Sequence, residues 1–379
     1  MTDTSSPIEL HKTDPVLDMA RCMTVAKKEH GKDLFAQLAE IVSLALGPGK
    51  LKPRDYYYYG LYDDARFSAD AKRAFVGARV QRKIHLKSSA REWWAIAHDK
   101  LLCYALLDGL EAPTPKTVAL YHGRRSFAGV PVLHDGAALA AHLRGARAYP
   151  FFGKPITGMW SAGSVLVERY DEASDSLVFS NGATATVDEF VAMAENFEKD
   201  GYLFQEPLVP HPTVETVCGK RLSTVRLVVV LGKEKAEILH AIWKIPAGDN
   251  TADNFWRTGN MLGLVDVDSS EVVRAVHGVG VDHREVETHP DTGADIVGTM
   301  LPDWEAAKAL CLNLSYAIPL ICPIGADVRQ ASDGRRRTSL RRGCCGGLRL
   351  GVAACPVYGG LASQLSGKPI KPKAAQKMG

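Results

Sequence analysis

Apolar residues recur at helical spacing over roughly the first quarter of the chain and at strand spacing after Lys116. From Asp14 to Phe35 and again from Leu34 to Leu46 they return every three or four positions, which predicts two helices. Gly47-Pro48-Gly49 stops the second. An aromatic cluster, Tyr56 to Tyr59, follows, and then a basic helix-like stretch from Ala71 to Lys87 whose cations read as a solvated face. Short β-rich runs come next: Lys116–Tyr121, Phe151–Ile156, Ser164–Tyr170, Ser176–Ser180, Tyr202–Gln205 and Thr224–Leu231. Helices are expected at Gly136–Arg144 and Val187–Lys199. Further strands are expected at Ala236–Ile245, Met261–Val267, Val272–Val276 and Pro319–Val328, with a helix from Trp304 to Tyr316. Long antiparallel-looking strands with few helices predict an α+β fold rather than a doubly wound parallel sheet.

Composition narrows the classes. The 379 residues suit two or three domains or one multi-lobed unit, and a formal net charge of +3 provides no global field toward nucleic acid or an anionic surface. The longest apolar run, Leu314–Ile324, is interrupted by Pro319 and Pro323 and is too short to span a bilayer. The first residues show no signal-peptide pattern. Cys22, Cys103, Cys218 and Cys311 lie in apolar surroundings without C-x-x-C spacing, as buried thiols of a reducing cytoplasm do. His98, His211 and His289 lack zinc spacing, and no G-x-S-x-G or Cys–His context supports a nucleophile.

The most informative stretch is Tyr149–Ser164, a strand that brings Lys154 to a loop of small residues, Gly158, Ser161, Gly163 and Ser164. An ammonium offsets phosphate charge, and small residues let backbone N–H groups approach phosphate oxygens. It is not a P-loop, because Lys154 precedes the glycines. Around it stand His98-Asp99-Lys100 opening a helix, Phe204-Gln-Glu-Pro-Leu208 ending a strand, Ser223-Thr-Val-Arg-Leu227, Asp253-Asn254 and Ile324-Gly-Ala-Asp-Val328.

That ordered set resembles the ATP-grasp superfamily, and within it the sugar-transfer-associated ATP-grasp proteins, over residues 50–328. The resemblance implies a two-lobed fold holding ATP and Mg²⁺: a helical region 1–95, lobes 96–205 and 206–360, and a tail 361–379. It implies that Lys100 and Lys154 contact phosphates under the loop of Ser161 and Gly163. Gln205, Glu206 and Leu208 would form the adenine hinge, and Asn254 would lie near the phosphates or acceptor. Arg226 and Lys154 would assist catalysis, and Asp327 would bind the metal. The implied activity is carboxylate–amine ligation through an acyl phosphate, in the cytoplasm, on small acid and amine substrates of polysaccharide or envelope synthesis. Neither nucleic acid nor stable membrane insertion is implied. A kinase on the same fold, or a non-catalytic nucleotide binder, fits the same residues. Each also admits a plain role: Lys100 on a helix surface, Glu206 as a strand-end charge, Asn254 in a turn, Arg226 in an ion pair.

The resemblance fails after Asp327. Where related proteins carry a strand with an E-x-N pair, residues 329–356 hold seven arginines, no lysine or glutamate, and Asp333 as the one acid. Ala326 stands where tryptophan is common, and no glutamate follows Glu305. The segment has the composition of an out-of-frame reading of a GC-rich gene, and reads as a basic loop that leaves a sheet edge open. Weak Mg²⁺–ATP binding and impaired activity are expected.

Overall fold

A computed structural model describes residues 17–127, 129–145, 148–157, 162–197, 199–232, 234–248, 250, 253, 258–318, 324–329 and 339–342, with backbone alone for the last two segments. Eleven helices and fourteen strands are ordered along these residues as follows. The helical region contains α1 (Met19–His30), α2 (Leu34–Leu46), α3 (Pro53–Tyr58), α4 (Ala69–Arg73), α5 (Ala78–Ser88), α6 (Trp94–His98) and α7 (Lys100–Gly109). Then follow β1 (Thr117–Tyr121), β2 (Val132–Leu133), α8 (Gly136–Leu143), β3 (Phe151–Pro155), β4 (Val165–Asp171), β5 (Ser176–Phe179), β6 (Thr184–Thr186), α9 (Val187–Glu195) and β7 (Tyr202–Gln205). The remainder is α10 (Pro212–Cys218), β8 (Thr224–Leu231), β9 (Ala236–Ile245), β10 (Met261–Val265), β11 (Val272–His277), β12 (Arg284–Val286), α11 (Trp304–Ala317), β13 (Ile324–Arg329) and β14 (Ser339–Arg342).

The strands form two seven-stranded sheets, ordered β2-β1-β7-β3-β4-β5-β6 and β12-β11-β10-β9-β8-β13-β14. All pairings are antiparallel except β1 with β2. The fold is therefore α+β, as the strand pattern predicts. Local chemistry sets the helix ends: the Asp18 and Asp33 carboxylates accept the backbone N–H groups of Arg21 and Ala36 to cap α1 and α2, and Gly31 ends α1 in the left-handed region.

Three large apolar clusters among the described residues hold most of the elements together. In the first sheet, alternate residues Phe151, Tyr202 and Phe204 face Phe190 of α9 and Leu139 of α8. The opposite face contributes Leu120, Ile156 and Leu203 to a larger cluster, which continues through Leu101, Tyr104 and Leu107 of α7 to Val225, Leu227 and Trp243 of the second sheet. One core thus runs through both sheets, with α7 between them. The third cluster joins α1, α2 and α3 around Tyr56, Tyr57, Tyr58 and Tyr59, so the tyrosine run is core.

The basic stretch departs from expectation at one position. Arg73, Arg79, Arg82, Lys83 and Lys87 are exposed, whereas Lys72 is buried. Its ammonium lies 3.1 Å from Glu40 and 2.5 Å from Asp64, and Lys32 reaches the same two carboxylates at 2.6 Å each. Tyr56 also donates to Glu40, at 2.6 Å. The Arg-rich segment differs too. Residues 339–342 pair antiparallel with β13, with Asp327 opposite Arg341, so that edge of β13 is covered by a strand. The rest of the segment, 330–338 and 343–356, lies outside the described residues, as does the tail.

Burial alone would raise the Glu40 carboxyl, but hydrogen bonds from Lys32, Tyr56 and Lys72 outweigh it and hold it below its ordinary value; Lys32 and Lys72 do the same for Asp64. Lowered folded-state values mean that this stabilisation is complete above the unfolded carboxyl range, about pH 4, and is lost as the pH falls through the folded-state values. Glu40→Gln should therefore flatten the acid limb of Tm against pH. An acid limb as steep in the variant as in the parent would contradict this assignment.

Candidate functional site

The site begins with two neighbouring strands of the first sheet. In β3, Phe152 and Lys154 share a face; in β7, Leu203 and Gln205 lie opposite them, Lys154 against Leu203 and Phe152 against Gln205. Lys154 is 1% exposed. Its Nζ donates to the Tyr104 hydroxyl of α7 at 2.7 Å and lies 5.2 Å and 5.7 Å from the ring centres of Tyr104 and Phe152. An ammonium removed from water needs such partners, and the ring faces add cation–π attraction.

Buried Gln205 donates from Nε2 to the Pro115 carbonyl at 3.2 Å and to Thr117 Oγ1 at 3.4 Å. Glu206 is half-exposed and pairs with Lys116 at 2.7 Å. Lys154, Gln205, Glu206 and Leu208 meet with Pro115, Phe152 and Leu222 around a narrow cleft with a free volume of about 10 Å³. Leu222 stands just ahead of β8, so the cleft lies where the first sheet meets the chain entering the second.

Lys100 takes a different position. It opens α7, whose N-terminus Asp99 caps by accepting the N–H groups of Leu101 and Leu102. Its Nζ donates to the carbonyls of Pro155 and Ile156 at 2.8 Å and 3.0 Å, and its backbone N–H to Ile156 at 3.2 Å. Lys100 thus ties α7 to the end of β3, next to Lys154, and does not line the cleft. The loop returns at Gly163, where φ is +66° and an added Cβ would lie 2.8 Å from the Phe197 ring. Tyr202 donates to the Gly163 carbonyl at 2.6 Å, anchoring that point. Gly158, Ser161 and Asn254 lie outside the described residues.

The second sheet carries a polar face that the sequence reading did not assemble. Thr224, Arg226 and Val228 of β8 pair with Lys244, Ile242 and His240 of β9, which puts all six side chains on one side. Val225, Leu227, Ala241 and Trp243 point to the other side, into the core shared with α7 and α11. Thr224, Arg226, His240 and Lys244 are all buried, as is Asp253. Asp253 accepts a short hydrogen bond from the Thr224 hydroxyl and lies 3.9 Å from the Lys244 ammonium.

Asp327 sits in register opposite Arg226 on the adjoining β13. The signal for this face was the period of two in Thr224-Val-Arg226 and in His240-Ala-Ile-Trp-Lys244. His240 is unusual within it: neither ring nitrogen has a hydrogen-bond partner among the described residues. Burial, reinforced by Arg226, pushes its pKa down to about 4, so the ring is neutral at physiological pH.

Two of the histidines noted in the sequence, His211 and His289, have local partners. His211 caps α10 by accepting the Thr213 N–H at 3.2 Å, and buried His289 lies 2.9 Å from the Pro246 carbonyl. A magnesium ion needs several oxygen ligands. The described residues do not assemble them: no group of three or more His, Cys, Asp or Glu side chains is placed to hold an ion. Asp253, the buried acid of this face, is already engaged by Thr224 and Lys244.

Two outcomes are expected here. Gly163→Ala should cost about 1–2 kcal/mol in denaturant unfolding, because the left-handed backbone disfavours a Cβ even before Phe197 is met. His240 in the unfolded chain titrates near its ordinary value, about 6.5. A depressed folded value then implies that stability declines as the pH falls from there toward about 4. His240→Phe should remove that decline from the pH-dependent Tm without lowering Tm at pH 7. A large loss at pH 7 would reveal a hydrogen bond that the ring does make.

The family of proteins described as sugar-transfer associated ATP-grasp matches residues 79–332, about two-thirds of the chain. No curated protein matches this sequence. Among solved structures, D-alanyl-alanine synthetase A from Vibrio cholerae is similar at TM-score 0.38 and 11% identity, over 71% of this chain and 64% of its own. N5-carboxyaminoimidazole synthetase from Staphylococcus aureus is similar at TM-score 0.36 and 11% identity, over 71% and 50% respectively. An L-amino acid ligase from Bacillus licheniformis is similar at TM-score 0.34 and 11% identity, over 72% and 50%. This chain spans between half and two-thirds of the length of these three structures. The chain belongs to the sugar-transfer-associated ATP-grasp family.

Proposed function

We propose that this protein binds ATP and serves as a carboxylate–amine ligase. The observation that carries the reading is the cleft where Lys154, from β3, meets Gln205, Glu206 and Leu208 from the end of β7. Its free volume, about 10 Å³, is far below the ~300–1,000 Å³ of a whole-ligand pocket, so in this reading its walls part to admit the base and the start of the phosphate chain. Phe152 and Leu208 supply apolar walls for the base, and the β7 end supplies backbone groups to read its edge. Lys154 neutralises phosphate charge from a position already desolvated, where a charge acts most strongly.

In this reading a substrate carboxylate oxygen attacks the terminal phosphorus and ADP leaves with the bridging oxygen. An amine then attacks the acyl carbon and expels phosphate. Both steps build negative charge on oxygen, and Arg226, fixed in a buried strand, is the guanidinium offered to it. Asn254 belongs beside the phosphates, Lys100 keeps the end of β3 in place for Lys154, and Ser161 and Gly163 belong to the loop over the triphosphate. Magnesium supplies charge neutralisation when bound, and Asp327 is the carboxylate assigned to it. With Asp253 engaged elsewhere, the metal is held weakly and turnover is low. The setting is the cytoplasm, with small acids and amines of polysaccharide or envelope synthesis as substrates.

A non-catalytic nucleotide-binding role is the second reading, favoured by the lack of a clustered acid set among the described residues. ATP without metal should raise the Tm, and Lys154→Met, which keeps the buried stem, should abolish that rise while remaining folded. Release of ADP that requires both an acid and an amine, with an amide formed, selects the ligase; a phosphoester selects a kinase. No Tm response to ATP in the parent protein would end the nucleotide reading.

A further inference from the structure

Helix α2 turns an apolar side to solvent. Leu34 is 53% exposed, Phe35 83%, Leu38 58%, Val42 47% and Leu46 74%. Leu34, Leu38, Val42 and Leu46 follow one another at intervals of four, forming one row along the axis. The helix already has a packed side, where Gln37 and Leu44 are buried and Glu40 joins Lys32 and Lys72. The row is therefore a second apolar side, exposed among the described residues. Isolated exposed leucines are ordinary; a contiguous row marks an interaction surface.

Charge at one end of the row indicates what covers it. Lys50 folds back so that its Nζ donates to the Leu46 carbonyl at 2.8 Å, which puts an ammonium at the last residue of the row. The Gly77 N–H donates to the Gly49 carbonyl at 2.8 Å, so α5 starts beside the same end. From Ala74 to Arg91 the chain has no acid, and Arg79, Arg82, Lys83 and Lys87 are exposed, as is Lys52. Apolar side chains with an ammonium at one end and an acid-free cationic helix starting beside it are the composition of a surface that lies in the headgroup region of an acidic membrane. No helix among the described residues is long and apolar enough to cross a membrane, so α2 lies on a bilayer rather than through it.

We propose that α2 seats this protein on an anionic lipid bilayer, its exposed leucines, valine and phenylalanine at the boundary between headgroups and acyl chains and the exposed cations Lys50, Arg79, Arg82, Lys83 and Lys87 over acidic phosphates. This surface does not rest on the nucleotide reading. The test is sedimentation of the full chain with vesicles of phosphatidylcholine, and of phosphatidylcholine mixed equally with phosphatidylglycerol. Binding to the acidic vesicles should exceed binding to the neutral ones and weaken as salt is raised. The double variant Phe35→Ser, Leu38→Ser should bind at least about tenfold more weakly, and Lys50→Glu with Arg82→Glu should lose the salt-sensitive part. All four positions are exposed, so an unchanged Tm serves as the folding control. Absence of binding to acidic vesicles, or binding indifferent to the serine variant, overturns the proposal. A dimer in light scattering that the serine variant splits assigns the row to a second copy instead.

Discussion

The Lys154 ammonium, held inside the protein by one tyrosine hydroxyl and two aromatic faces, is the interaction on which the arrangement turns. To sit there it needs β3 in register with β7, so that Phe152 and Gln205 lie beside it, and it needs α7 packed close enough for Tyr104 to reach it. Lys100 supplies the second condition by binding the carbonyls at the end of β3 from the first turn of α7. Two lysines from different elements thus perform different tasks at one strand end: one carries the buried charge, and the other fixes the backbone that presents it.

The second sheet meets a related constraint from the other direction. Its strands are apolar on the side facing α7 and α11, which leaves every polar residue of β8 and β9 on a single face. Thr224, Asp253 and Lys244 satisfy one another there. Arg226 lies in register with Asp327, and His240 stays uncharged because protonation beside Arg226 would set two cations together out of water. Because the same apolar cluster runs through α7 into both sheets, the cleft at Lys154 and the polar face around Arg226 are parts of one packed body.

How much of this was legible in the sequence depended on element length and on what a side chain touches. Tyr202–Gln205, Thr224–Leu231 and Ala236–Ile245 were found at their observed limits because their residues are β-branched, aromatic or alternate clearly. Val132–Leu133, Thr184–Thr186 and Arg284–Val286 were not, because two or three residues carry no period and acquire strand geometry from the neighbour they pair with. Lys72 was read as solvated because nothing in a linear pattern announces two carboxylates from other segments. The sequence placed Lys154, Gln205, Glu206 and Leu208 near one another through the family resemblance, and they line one cleft. It did not anticipate that Lys100 would be occupied by carbonyl oxygens, a contact set by the meeting of α7 with β3.

The strand at Ser339–Arg342 has a consequence for how these molecules behave beside one another. It is short, it forms the outer margin of the second sheet, and two of its four residues are arginines. Among the described residues β14 has no strand on its outer side, and natural sheets place charge on such edge strands, as Arg341 and Arg342 do here, where it disfavours pairing with another sheet. A segment whose composition is foreign to the rest of the chain thus closes the second sheet with a charged strand.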